Sequence, residues 1–247
     1  MWSTIWHAFF FDPIYNSLVF FIDVIPGGDV GLAIVLTTVL VKLVLLPLSI
    51  KAVKTQVVMR EIEPELKAIK EQYKDKREEQ AKAMLELYKK AGINPFASIA
   101  LVFLQIPIII SLYLAVSNGG GVPLPDINTA LLYSFIPVPV VTTTIFLGII
   151  DITLKSLPLA VLAGITQFIQ AKLSSPPPPE KKEGDVPSFK DDLARSMHLQ
   201  MRYVLPVIIF IVAYTISAAI ALYFTISSLM AIAQEYVVRR HKKPTAQ

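Results

Sequence analysis

Long apolar runs, broken by one densely charged stretch, organise this chain. The first run of bilayer length is Gly31 to Ile50, GLAIVLTTVLVKLVLLPLSI. It has about the 20 residues a spanning helix needs, so residues 30–50 are predicted as a first span. The segment before it, WSTIWHAFFFDPIYNSLVFFIDVIPGG, holds an apolar run from Ile14 to Ile25 that reads as too short to span and is flanked by Asp12 and Asp23. Trp2, Trp6, Phe9, Phe10, Phe11 and Tyr15 favour the membrane interface. Residues 1–29 therefore predict an external interfacial helix, with a poor signal anchor as the plainer alternative. No basic n-region or small-residue cleavage site is visible, so a cleaved signal peptide is not expected. Pro26-Gly27-Gly28 predicts a turn into the span.

From Lys51 the pattern changes. Val58, Ile62, Leu66, Ile69 and Tyr73 recur at helical spacing, and after Lys74-Asp75-Lys76 so do Ala81, Leu85 and Tyr88. Two amphipathic helices joined by a charged turn predict an antiparallel hairpin over 51–93, its first arm kinked at Pro64. Asn94-Pro95 is a helix start, with Asn as cap and Pro at the first position. It opens a second span, 95–117, that carries Gln105 and Pro107. Residues 118–154, rich in Gly, Pro and Thr, predict an external loop with interfacial elements; Pro137 and Pro139 argue against reading Ala130 to Ile150 as a span. A third span follows at 155–173, its inner end made polar by Thr166, Gln167 and Gln170. A Pro-rich loop at 174–202, a short fourth span at 203–215, a fifth at 217–238 and a basic tail at 239–247 complete the chain. The expected fold class is an all-α polytopic membrane protein, a five-helix transmembrane bundle carrying a cytoplasmic helical hairpin.

Composition agrees. The chain has 247 residues, 54% of them hydrophobic, and a mean hydropathy of +0.58, which excludes an ordinary soluble domain. It contains no Cys, hence no disulfide framework, thiolate metal site or lipidated cysteine. His7, His198 and His241 are too scattered for a metal site. Charge distribution gives the topology. Of 23 Lys and Arg residues, 21 fall in the hairpin, in the Lys172–Arg202 segment or in the tail, whereas residues 1–29 and 118–154 carry none and hold five Asp. The positive-inside rule puts the N-terminus outside and the C-terminus in the cytoplasm, and five spans give the same parity. The hairpin's 11 basic residues are interleaved with 8 acidic ones, so sequence-specific nucleic-acid binding is not expected.

The most informative charge is Lys42, just past the middle of the first span. A cation at such depth costs about 2.5–3.5 kcal/mol or more. Thr37, Thr38 and Ser49 fall on its side of the helix. Lys42 could snorkel to a headgroup or lose its charge inside a tight bundle. The sharper expectation is that it lines a wet cavity open to one side of the membrane. Gln105 is open in the same way, as interhelical glue or as a cavity residue. Thr38, Gln105, Gln167 and Ser228 are the polar candidates for a groove around Lys42, each also able simply to bridge helices. No phosphate-binding glycine loop is present, and neither a cofactor nor enzymatic chemistry is expected.

VKLVLLPLS (Val41–Ser49), the charged hairpin, YKKAGINPF (Tyr88–Phe96), LVFLQIPIIISLY (Leu101–Tyr113), ITQFIQAKLS (Ile165–Ser174) and YVLPVIIF (Tyr203–Phe210) occur in this order. On these motifs the chain resembles the YidC/Oxa/Alb family of membrane protein insertases along about its whole length, in a compact bacterial form without a large periplasmic domain. The resemblance implies a five-helix bundle around a hydrophilic groove that opens to the cytoplasm and to lipid and is closed outside. Lys42 stands where the family usually has Arg, and would attract acidic residues in a client's tail. The resemblance also implies nascent membrane protein clients, action alone or beside the Sec translocon, and residence in the bacterial cell membrane. Ribosome contact through the hairpin and the short basic tail would be weak. Two departures stand out. Lys keeps the charge but not the planar fork of Arg, and Ser217-Ala218-Ala219 replaces a Pro-small-Gly turn. Outside this family, a small transporter or channel subunit could use Lys42 as an anion site, but no internal repeat of the transporter kind is visible. A scaffold docking partners through the hairpin would leave Lys42 unexplained.

Overall fold

Asp29 explains where a central helix begins. Its Oδ1 accepts from Leu32 N at 3.0 Å, satisfying one of the free amides of a first helical turn. Its Oδ2 accepts from Leu147 N at 2.8 Å, 118 residues away. One carboxylate thus starts a helix and ties to it the loop that carries Leu147. The computed structural model describes residues 2–74, 76–94, 96–117, 121–174 and 200–241.

The fold is predominantly helical. Helix α1 (Trp2–Trp6) runs through a π-helical turn, His7–Phe11, into α2 (Asp12–Val24). Then come α3 (Val30–Val44), α4 (Leu46–Glu61), α5 (Glu63–Gln72), α6 (Arg77–Lys90) and α7 (Phe96–Ser117). A two-stranded antiparallel ribbon, β1 (Ile145–Phe146) and β2 (Ile150–Asp151), precedes α8 (Leu157–Ser174), α9 (Leu205–Thr215) and α10 (Ala218–His241). The main core lies between α2, α3, α7 and α10, where Tyr15, Leu18, Ile34, Leu112 and Tyr223 are nearly or fully buried. A second core joins α8, α9 and α10 through Ala160, Ala163, Ala213, Ala218 and Ala221. Small residues let these backbones approach closely, as membrane helices do.

Among the described residues, three helical stretches can cross a membrane by length and composition: Ser3–Val24, Leu157–Ser174 and Ala218–Val238. A fourth is the pair α3 and α4, taken as one span bent by 67°. Phe103–Ser117 and Arg202–Thr215 are shorter apolar helices. Two details differ from the sequence expectation. The N-terminal apolar run is longer than the pattern suggested, because the helix continues through Asp12-Pro13 and merges with the aromatic stretch before it. The stretch 30–50 is not one helix, since α3 stops at Val44 and α4 starts at Leu46. Pro47 sits in the first turn of α4; it lacks an amide donor and its ring crowds the preceding turn, so the break falls there. Pro64 acts likewise in the first turn of α5, which is separated from α4 by Ile62 alone. Helices α5 and α6 pack through Ile62, Leu66 and Leu87.

The loop over residues 121–156 is stitched to neighbouring helices. Asn16 Nδ2 donates to Leu131 O at 3.0 Å and Asn16 Oδ1 accepts from Tyr133 N at 2.7 Å. The Tyr15 hydroxyl accepts from Asn128 N at 2.8 Å. At the start of α10, Ala218 N and Ala219 N donate to Leu154 O and Ile152 O at 2.7 and 2.9 Å. Most of the expected Pro-rich loop, Pro95 and the end of the basic tail lie outside the described residues.

Candidate functional site

Lys42 lies in the last turn of α3, four residues after Thr38 and so on the same face. It is half-buried, and its Nζ donates to Gln105 Oε1 at 3.3 Å across the gap to α7. Among the described residues no carboxylate lies within 4.0 Å of that ammonium. The partner is a neutral amide, so the positive charge is positioned with no matching carboxylate among the described residues.

One turn further out, α3 meets α10. Thr37 and Thr38 are 1% and 2% exposed. With Tyr223, Val41, Ile14, Ile108 and Leu112 they line a cavity of about 10 Å³. Thr38 Oγ1 donates to Ile34 O of its own helix at 2.7 Å. The hydroxyls of Thr37, Tyr223 and Ser111 have no hydrogen-bond partner among the described residues; Ser227, one turn along α10, lies near the Tyr223 hydroxyl without meeting hydrogen-bond geometry. An unmatched buried hydroxyl costs about 1–3 kcal/mol, so polar surface gathered here, above Lys42, is a feature the fold tolerates at a cost.

The other two sequence candidates form a separate pair. Ser228 Oγ on α10 donates to Gln167 Oε1 on α8 at 3.0 Å. The fold thus joins Lys42 to Gln105 and Ser228 to Gln167, while the Thr38 hydroxyl stays within its own helix. A held cation flanked by hydroxyls and amides, between apolar walls, can attract a carboxylate or a polar peptide segment into a membrane.

Comparison with known proteins decides the family. Residues 21–245 match the family described as 60Kd inner membrane protein. The chain belongs to that family. Its relatives include the membrane protein insertase YidC 2 of Bacillus anthracis, 28% identical over 244 residues, covering 95% of this chain and 81% of the relative. The membrane protein insertase YidC of Francisella tularensis subsp. novicida (strain U112) is 31% identical over 220 residues. That alignment covers 88% of this chain and 34% of the relative, so the chain spans about a third of the Francisella protein. All five sequence-predicted site residues fall inside the range matched to the 60Kd inner membrane protein family.

Within this YidC-family chain, sequence reasoning missed a polar junction where α4, α8 and α10 meet. Glu235 on α10 is 3% exposed. Its Oε2 accepts from Ser174 Oγ at 2.7 Å, and its Oε1 lies 3.9 Å from Arg60 Nη2. The same Nη2 donates to Leu173 O at the end of α8, the place where a helix welcomes a cation. Beside it Gln234 Nε2 donates to Ser49 Oγ at 2.5 Å. The junction joins α4, α8 and α10. One signal was available: Glu235 is an acid inside the predicted fifth span, as unusual there as Lys42 is in the first. Thr37 was noticed only as a neighbour of Lys42, and nothing in the sequence marked Tyr223.

Proposed function

We propose that this chain inserts and folds client membrane proteins through a hydrophilic groove between its spans, closed outside and open to the cytoplasm and to lipid. Lys42 carries the reading: a half-buried ammonium in an apolar helix, resting on the Gln105 amide at 3.3 Å. A cation held in that way lowers the cost of bringing an acidic or polar client segment partway across. Gln105, Thr38, Gln167 and Ser228 supply polar lining. The client's apolar helix then leaves sideways into lipid, where its backbone is satisfied internally. The 11 residues of α9 reach about 16 Å at 1.5 Å per residue, well short of a hydrocarbon core of about 30 Å. Spans that short favour local thinning of the bilayer.

In this reading the five crossings are residues 30–50, 95–117, 155–173, 203–215 and 217–238, with the N-terminus outside and the C-terminus in the cytoplasm of a bacterial cell. The placement of 21 of the 23 basic residues supports it. Residues 1–29 rest in the outer interface, since a sixth crossing would reverse the N-terminus. The hairpin over 51–93 stands at the cytoplasmic mouth, with the Pro-rich loop and basic tail beside it, where ribosome contact is weak and electrostatic. The Sec translocon is a partner for larger clients.

The test is insertion of a single-span client with an acidic tail into proteoliposomes, read by protease protection of the tail. Wild type is compared with Lys42→Ala, Lys42→Arg and empty liposomes. The expected result is protection with wild type and Lys42→Arg, and a fall to the empty-liposome level with Lys42→Ala. Equal protection with Lys42→Ala removes the charge from the mechanism. Wild type no better than empty liposomes overturns insertion by this chain alone.

A further inference from the structure

The loop between α7 and α8 turns apolar side chains outward from a framework that is pinned in place. Val140 is 97% exposed, Ile149 80%, Phe135 76% and Leu147 58%. The backbone that carries them is fastened at many points. Asp29 holds Leu147 N, Thr143 N donates to Gly28 O at 2.9 Å, Val30 N donates to Thr143 O at 3.0 Å, and Ile152 N donates to Thr144 O at 2.9 Å. These side chains are therefore presented by a fixed scaffold.

The tip of the β1–β2 ribbon makes the point sharpest. Leu147 has φ +51° and Gly148 φ +72°. Left-handed positions in a hairpin turn ordinarily take Gly, Asn or Asp, and a bulky residue there is strained. A leucine at such a position, with its side chain turned outward, gains neither turn propensity nor burial within the chain. Basic charge is missing as well. Residues 121–154 contain no Lys or Arg, and the Asp151 carboxylate is occupied by Thr153 N and Oγ1 at 2.9 and 2.7 Å. The apolar surface continues through Leu154, 63% exposed, to Leu157 and Val161 on the outward side of α8, itself a candidate span.

We propose that the β1–β2 tip and the ridge at residues 135–141 insert into the outer leaflet of the membrane that holds the helices, at the boundary of headgroups and acyl chains. The occupant of this surface is lipid. It meets the apolar surface that leads, past the exposed Lys155, onto a spanning helix, and a pre-ordered loop without basic residues loses little on entering it. The anchor also sets a depth. Asp29 binds the tip, and Lys42 lies 13 residues further along, about 20 Å at the helical rise. A cap fixed in the outer leaflet holds the Lys42 ammonium at a constant level.

The natural chain has no cysteine, so single sites can be labelled directly. Val140→Cys, Leu147→Cys, Ile149→Cys and, as a control on the same loop, Asp126→Cys are spin-labelled and reconstituted in liposomes. Power saturation then compares collisions with oxygen and with a water-soluble nickel chelate. Oxygen is expected to exceed nickel at 140, 147 and 149, with the order reversed at 126. Nickel exceeding oxygen at the three sites would place the tip in water and overturn the proposal. Labels immobilised and closed to both reagents would place a protein, such as a second copy, on the surface and overturn it equally.

Discussion

Arg60→Met is the most informative single change at the junction of α4, α8 and α10. In the native chain its guanidinium lies 3.9 Å from a carboxylate that is almost wholly enclosed; the side chains of Arg60 and Glu235 are 20% and 4% exposed. At an effective dielectric of about 20 that separation is worth about 4 kcal/mol before desolvation. Desolvation already suffered by Glu235 cannot be recovered when the cation goes, because α8 and α10 still enclose it. Ser174 Oγ continues to donate to the carboxylate, which places the loss near the lower end of the range for breaking a buried pair, about 3 kcal/mol. Glu235→Gln keeps an acceptor for Ser174 and surrenders only the charge, for about 1–2 kcal/mol. In the double variant Arg60→Met/Glu235→Gln the buried charge is gone from both sides. Its loss should fall short of the sum of the single losses by about 1–3 kcal/mol. Denaturant unfolding in mixed micelles, followed by circular dichroism, measures all three. A single-variant loss below about 0.5 kcal/mol for Arg60→Met, or strict additivity, would show that the pair contributes nothing to holding α4, α8 and α10 together.

Two neighbouring glycines should part company. A Cβ at Gly28, φ +63°, would overlap the Val141 carbonyl, whereas one at Gly27, φ +82°, meets open space. Gly28→Ala should cost more than about 3 kcal/mol and Gly27→Ala about 1 kcal/mol; equal melting-temperature shifts would mean that the loop does not pack on the turn. Leu147→Gly removes the left-handed leucine and should raise stability in detergent by up to about 1 kcal/mol, while reducing lipid contact at the ribbon tip in liposomes. A loss of stability in detergent would mean that Leu147 is held by contacts within the chain.

Helical class, membrane residence and the most unusual cation were all legible in the sequence, because each follows from composition or from local spacing. Lys42 could be flagged from one helix alone, since a charge among leucines and valines is improbable by itself. Its partner could not. Gln105 is 63 residues away, and its approach depends on how α3 and α7 cross, which hydropathy does not record. The same holds for Ser228 and Gln167. The break at Leu45 was hidden differently. Pro47 was visible, but a proline near a helix end and a proline that divides a span look alike until the packing of α4 against α7 is known. The N-terminal helix is longer than the sequence pattern suggests, because Asp12, a flank of the apolar run in sequence, does not end the helix. Asp12 instead bonds His7 at 2.8 Å, and Pro13 falls in the first turn of α2, where proline is tolerated.

Lys42 and Glu235 are treated in opposite ways by the same bundle, and the contrast bears on function. Both are ionisable residues in apolar helices, and both carry a desolvation cost that a structural role would offset with a partner of opposite sign. Glu235 has such a partner in Arg60, together with a hydroxyl from Ser174. It ties three helices, and its charge is matched where it stands. Lys42 receives an amide oxygen at 3.3 Å and no carboxylate among the described residues. If Lys42 were a strut, Glu at position 105 would stabilise it more than Gln does. Gln105→Glu should therefore raise stability in detergent and, by matching the charge, weaken insertion of an acidic-tailed client. If Gln105→Glu leaves insertion at the wild-type level, the uncompensated charge of Lys42 is not what draws the client in.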